Sequence, residues 1–218
     1  MAYIWQAPSA KMVGNADSSV SPFLKAWIQG IDASDAPVVV CGVIGEGSTL
    51  ELQSNWDSPF EQDNPGSFFE KTGGLLQNLT GQTSKTTLNS AQVWNGNRPI
   101  TINLTLLLYA LSNPRTEVEA AITALKEFAS PQVNANSPVT LDTNGSAGGI
   151  TANVGRIPGT VSLSVGRNFI YPKMIIESIG EPLDTVRDKQ GNRIRAAINL
   201  ALQTDVMINK KDMKGLSA

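Results

Sequence analysis

The sequence predicts a mainly β fold of the α+β kind: a barrel or sandwich of strands carrying one docked α-helix over about residues 113–130. Three observations predict it. Ile100, Ile102, Leu104, Leu106 and Leu108 alternate with Thr101, Asn103 and Thr105, the period of a half-buried strand. Near the end of the chain, Ile194, Ala196, Ile198, Leu200 and Leu202 alternate with Arg195, Ala197, Asn199, Ala201 and Gln203. Between these segments, Val118, Ala121, Ile122, Leu125 and Phe128 recur at helical spacing on one face.

The elements follow in order. Residues 1–36 are rich in Ser, Ala, Asp and Gly, with scattered Trp5, Phe23, Trp27 and Ile28, and read as an N-terminal arm whose tryptophans dock onto something. Residues 37–218 are expected to form a single β domain with long loops at 55–74 and 131–150. Pro37 to Ile44 is a β-branched run. The turn Gly45-Glu46-Gly47 and an alternating strand through Leu50 and Leu52 follow it, which together predict a hairpin.

Asn55 to Gly74 is interrupted by Pro59 and Pro65 and reads as a loop, though it carries Trp56, Phe60, Phe68 and Phe69. Aromatic residues in a long loop pack it down or meet a partner. A Thr- and Ser-rich strand is expected from Thr83 to Trp94, ended by Asn95-Gly96-Asn97. After the alternating strand, Asn113 is suited to cap the helix, Pro114 to occupy its first position, and Glu117 and Glu119 to lie near its positive end. Pro131 stops the helix, and Gln132 to Gly149 reads as a Pro/Gly/Asn/Ser-rich connection. Strands are then expected over Thr160 to Val165, Lys173 to Ile179 and Arg193 to Val206, the last two joined through Asp188 to Asn192 as a long hairpin.

Composition narrows the function. The 218 residues are 41% hydrophobic and only 17% charged, which disfavours disorder and suggests either that more surface than usual is buried against something or that a monomer wears a polar Asn/Ser/Thr-rich coat. A net charge of −2 without a basic block disfavours tight nucleic-acid binding. The absence of histidine removes the commonest general base and metal ligand, and a Ser–His–Asp site with them. The single cysteine, Cys41, sits in a β-branched run and reads as a small buried hydrophobe. No signal-peptide pattern or membrane span is recognisable, so the expectation is a protein made in a cytoplasm.

Few segments suggest chemistry. Gly42 to Thr49 is superficially similar to a phosphate-binding loop but lacks its lysine and leads into a strand pattern rather than a helix. Carboxylate pairs such as Glu117 with Glu119, or Asp184 with Asp188, have the arbitrary spacing of a solvated surface. No catalytic, cofactor or metal residue is assigned, and no enzymatic activity is expected.

The order of the pieces carries a resemblance. Gly45-Glu46-Gly47 leads into Ser54-Asn55-Trp56-Asp57-Ser58-Pro59-Phe60, then Gln92-Val93-Trp94-Asn95-Gly96 and the strand Pro99 to Leu108. Asn113-Pro114 opens the helix, and Val165-Gly166-Arg167 precedes the closing pair Ile175 to Glu181 and Arg193 to Asp205. From residue 38 onward this series resembles the tube-like proteins of contractile phage tails, in particular the rings joining the baseplate hub to the tube. The resemblance implies a tail-tube β-barrel assembled as a homohexameric ring around a channel that DNA crosses without specific binding. It also implies neighbouring tube and baseplate hub or wedge proteins as partners, in the virion. Trp5, Trp27, Trp56, Phe60, Phe68 and Phe69 are then the expected contacts between subunits or rings. If the closing hairpin lines the channel, Arg193 and Arg195 must be paired or turned away, because free cations would grip DNA. The rival readings are the tube protomer itself, a glycan- or host-binding β-sandwich, and a small hydrolase.

Overall fold

The computed structural model describes residues 10–17, 19–57, 92–131, 133–141, 150–155 and 158–216. The chain divides into two compact units, residues 1–51 with 99–218, and residues 52–98.

The larger unit is a closed six-stranded barrel with a docked helix. The eight-stranded sheet that contains the barrel is made of β1 (Lys11–Gly14), β2 (Lys25–Ile31), β3 (Pro37–Ile44), β4 (Thr49–Glu51), β7 (Thr101–Tyr109), β10 (Val161–Val165), β11 (Phe169–Gly180) and β12 (Arg195–Thr204). The order β3-β2-β10-β11-β12-β7 closes on itself where β3 meets β7, through Val43 opposite Leu107 and Ile44 opposite Leu106. The smaller unit contains the antiparallel pair β5 (Ser54–Asp57) and β6 (Val93–Asn97).

Alternation decides what faces inward. Ile102, Leu104, Leu106 and Leu108 of β7 and Ala196, Ile198, Leu200 and Leu202 of β12 are buried, as their period predicts. They meet Ile28, Val40, Leu163 and Met174 from the other strands in one core. The helix α1 (Ala120–Ala129), entered through a π-helical turn at Arg115–Glu119, adds Val118, Ala121, Ile122, Leu125 and Phe128. Burying each of the large side chains stabilises the packing by about 1.5–3 kcal/mol. Phe128 lies directly on Gly30 of β2, where a Cβ would come within 2.6 Å of the ring.

The helix ends are built as the sequence predicts. Asn113 accepts a hydrogen bond from the Arg115 amide at 3.1 Å, and Glu117 accepts from the Leu111 and Ser112 amides at 2.5 and 3.2 Å. Ser130 leaves the helix in an extended conformation, one residue before Pro131. A short second helix, α2 (Lys210–Gly215), was not expected; Asn209 caps it, accepting from the Lys211 and Asp212 amides.

Five expectations are overturned. The arm over residues 1–36 does not extend through Lys11–Gly14 and Lys25–Ile31, which are strands of the barrel sheet. The hairpin across Gly45-Glu46-Gly47 is instead one interrupted strand. After Ile44, the Gly45 amide donates to the Thr105 carbonyl at 2.7 Å, and Thr49, Leu50 and Glu51 then pair with Asn103, Ile102 and Thr101 of the same β7. Ser48 bridges the interruption, its hydroxyl accepting from the Thr105 amide and donating to the Gly45 carbonyl. Thirdly, the loop expected over 131–150 contains β8 (Val133–Leu141), which pairs antiparallel with β9 (Ile150–Gly155). Likewise, Ser54–Asp57 is a strand where the 55–74 loop was expected to begin, and Asn95-Gly96-Asn97 lies inside β6 rather than ending it.

β1 fills the seam where β3 and β7 part. Asn15, only 3% exposed, follows it and acts as a substitute peptide group. Its backbone amide donates to the Cys41 carbonyl at 2.7 Å. Its side-chain amide donates to the Tyr109 carbonyl at 2.6 Å, and its side-chain oxygen accepts from the Tyr109 amide at 3.0 Å. The ladder is thereby continued across the gap without leaving buried polar groups unpaired.

Candidate assembly surfaces

The wall formed by β11, β12 and β7 presents small neutral groups outward. Across it lie Ser178 opposite Ala201 and Gly180 opposite Asn199, and then Asn199 opposite Thr105, Ala201 opposite Asn103 and Gln203 opposite Thr101. The Thr105 hydroxyl donates to Asn199 Oδ1 at 3.1 Å, tying neighbouring strands together. Charged groups stand mainly at the margins: Arg195 beside Tyr109, Lys173 beside Asp205, and Glu51 beside Thr101, with Glu177 in the β11 bulge. Leu107 and Ile175 are its exposed large apolar residues.

Arg193, just before β12, and Arg195, its first residue, have different surroundings. Arg193, 8% exposed, is paired and turned away from this wall. Its Nε and Nη2 donate to the two oxygens of Glu119 at 2.9 and 2.8 Å, and its Nη1 donates to Glu181 at 3.2 Å. Lys126 of α1 donates to the other Glu181 oxygen at 2.8 Å. The network therefore joins the helix to the β11–β12 connection. Arg195 is exposed at the wall's margin.

The Arg193 hydrogen bonds hold the Glu119 carboxyl at a pKa of about 2, against an ordinary 4.5. Lys126 and then Arg193 lower Glu181 in the same direction. The sign follows from linkage: a carboxylate depressed in the folded state contributes stability above its unfolded pKa. That contribution is present above about pH 4.5 and is lost as pH falls toward 2. Glu119 should account for about 2–3 kcal/mol of the stability lost in urea unfolding between pH 6 and pH 2.5, and Glu119→Gln should shrink the loss by that amount. An unchanged pH profile in that variant would rule out this coupling.

Cys41 is fully buried, and burial pushes its thiol up to about 11, so it stays protonated at neutral pH. Beside it, buried Lys25 bonds the backbone carbonyl and carboxylate of Asp17. Among the described residues, no group of three or more His, Cys, Asp and Glu is placed to hold a metal ion. No described helix is long and apolar enough to cross a membrane.

Of the expected contact residues, Trp27 lies in β2 with the Arg167 guanidinium 5.6 Å from its ring centroid. Trp56 is 56% exposed in β5; Trp5, Phe60, Phe68 and Phe69 lie outside the described residues. Sequence reasoning overlooked Trp94. It stands opposite Trp56 across the β5–β6 pair, is 49% exposed, and has its Nε1 held by Ser54 and Asn97.

Apart from Met12 in β1 and Met213 in α2, the remaining exposed large apolar side chains of the barrel unit gather at the strand ends. Phe23, Leu24, Leu50, Phe169, Val206 and Met207 occupy the end where β11 begins and β12 finishes. Ile31, Leu111, Leu183, Val186 and Ile194 occupy the opposite end, beside the helix network. No family model matches the chain, and no curated protein matches it.

Proposed function

We propose that this chain is a structural, non-enzymatic ring subunit of a contractile phage tail. It forms a homohexamer at the baseplate end, joins or initiates the tube at the hub, and leaves a channel for DNA. The distribution of exposed side chains carries the reading: small neutral groups on the outer wall, apolar groups at the two barrel ends. Apolar ends suit stacking between neighbours above and below. A wall of Ser, Thr, Asn, Gln and Ala, with Arg193 withdrawn into its ion pairs and Arg195 exposed as a cation at its margin, suits a surface past which phosphates slide with little to hold them. Cryo-electron microscopy of the particle tests this. It should show six copies around a channel with the β11–β12–β7 wall facing the lumen; copies arranged off the tail axis would reject the proposal.

The exposed Trp56–Trp94 pair favours a second reading, a glycan- or host-binding module. Two cross-strand aromatic faces offer a stacking platform for sugar rings. Under that reading Trp94→Ala abolishes adhesion to host cell envelopes while ring formation is absent.

A further inference from the structure

Where β11 begins, the barrel unit opens into a cavity of about 360 Å3, lined chiefly by Ile44, Leu50, Ile102, Leu104, Phe169 and Tyr171. The gap has a topological cause. Among the described strands β4 pairs with β7 alone, so its other edge borders the opening. Alternation sets the lining. Leu50 stands opposite Ile102, while Phe169 and Tyr171, two residues apart on β11, stand opposite Val165 and Leu163. Ile102, Leu104 and Tyr171 are buried and form the floor; Leu50 and Phe169 are about half-exposed and form the rim.

One polar group in this apolar lining is not spent on the fold. Tyr171 is only 5% exposed, yet its hydroxyl has no hydrogen-bond partner among the described residues. Burial pushes its pKa above the ordinary 10.0, so the phenol is neutral and able to donate at pH 7. An unpaired buried hydroxyl carries a desolvation cost that a ligand's acceptor would offset. Ser48, also at the cavity, offers no such group, because its hydroxyl is engaged with the Thr105 amide and the Gly45 carbonyl. No charged side chain is among the described residues that line the cavity, and Arg167 of the adjoining turn is held over the Trp27 ring.

We propose that this cavity binds a small neutral molecule of the alkylphenol class, its ring against Phe169 and its hydroxyl hydrogen-bonded to that of Tyr171. Size, lining and the unpaired hydroxyl each select for it. An apolar cavity of about 150 Å3 takes up benzene, so this one has room for a ring with a short alkyl chain. Two aromatic side chains on one strand face give the ring an edge or a face to pack on. The uncharged lining disfavours an ionised head group, whose desolvation nothing in the cavity would offset. The whole lining belongs to the barrel unit of one copy, so the site does not depend on what the chain assembles into.

Isothermal titration calorimetry of the purified full chain at pH 7 tests this with para-propylphenol, propylbenzene and para-propylbenzoate. The phenol should bind one-to-one, about fivefold tighter than propylbenzene and at least about tenfold tighter than the benzoate. Tyr171→Phe keeps the ring packing and removes the hydroxyl, so it should bind the phenol and propylbenzene alike. Leu50→Trp places a larger ring at the half-exposed rim and should abolish binding of both. The phenol should also raise the thermal midpoint of the wild-type chain and leave that of Leu50→Trp unmoved. No binding of the phenol to the wild-type chain, an advantage over propylbenzene that survives Tyr171→Phe, or undiminished binding in Leu50→Trp overturns the inference.

Discussion

Replacing Arg193 with methionine should destabilise the fold by about 3–5 kcal/mol, measured by urea unfolding at pH 7. The guanidinium is almost fully buried and donates to Glu119 through Nε and Nη2 and to Glu181 through Nη1, while the Arg193 backbone amide, which the substitution keeps, also donates to Glu119. Removing it leaves the Glu119 carboxylate partly buried with its strongest donors gone, and brings its depressed pKa back up. Glu181 fares better, because Lys126 still reaches it at 2.8 Å. Adding Glu119→Leu to Arg193→Met should therefore recover most of the loss, since an apolar pair of similar volume avoids the desolvation cost. A deficit below about 1 kcal/mol in the single variant would mean that the network contributes no more than an ordinary surface pair. A full-sized deficit that Glu119→Leu leaves untouched would place the cost in lost packing rather than in a stranded charge.

Much of this fold was legible where a single physical signal dominated. β7 and β12 alternate cleanly because each has one face on the core, and α1 announces itself through Asn113, Pro114 and its apolar stripe. β2 escaped notice because its inward positions are Ala26, Ile28 and Gly30, and one large residue makes no visible period. Gly30 is small for a tertiary reason, the ring of Phe128 from a helix nearly a hundred residues away. The Gly45-Glu46-Gly47 segment carries the same turn chemistry whether the chain reverses or bulges. Only the register with β7 distinguishes the two, and register is a long-range property. β8 and β9 were hidden by Pro138 and by their Asn- and Ser-rich composition, which scores as loop. The exposed apolar side chains at the barrel ends are harder still to read from sequence. Leu183 and Phe169 look like isolated apolar residues in the sequence, and only the length of β11 places them at opposite ends. Trp94 stands in a short motif far from Trp56 in sequence, and only the pairing of β5 with β6 brings the two opposite each other.

The seam between β3 and β7 sets the second large expectation. Gly14 has φ +92°, a backbone conformation that L side chains rarely adopt, and a Cβ there would lie 2.1 Å from the Cys41 carbonyl oxygen. That oxygen belongs to backbone and accepts the Asn15 amide, so it cannot move aside without breaking the bond that fixes Asn15. Gly14→Ala should therefore cost at least about 3 kcal/mol, from left-handed strain and overpacking together. Asn15→Ala should cost less, about 1–3 kcal/mol, because it leaves the Tyr109 amide and carbonyl unpaired but keeps the chain path. Hydrogen exchange locates the damage: protection of the Tyr109 amide should fall in both variants, while protection along the β11–β12 ladder falls only as far as global stability does. If Gly14→Ala folds with wild-type stability, β1 does not hold the seam as described. The N-terminal segment would then be the free arm that its composition first suggested.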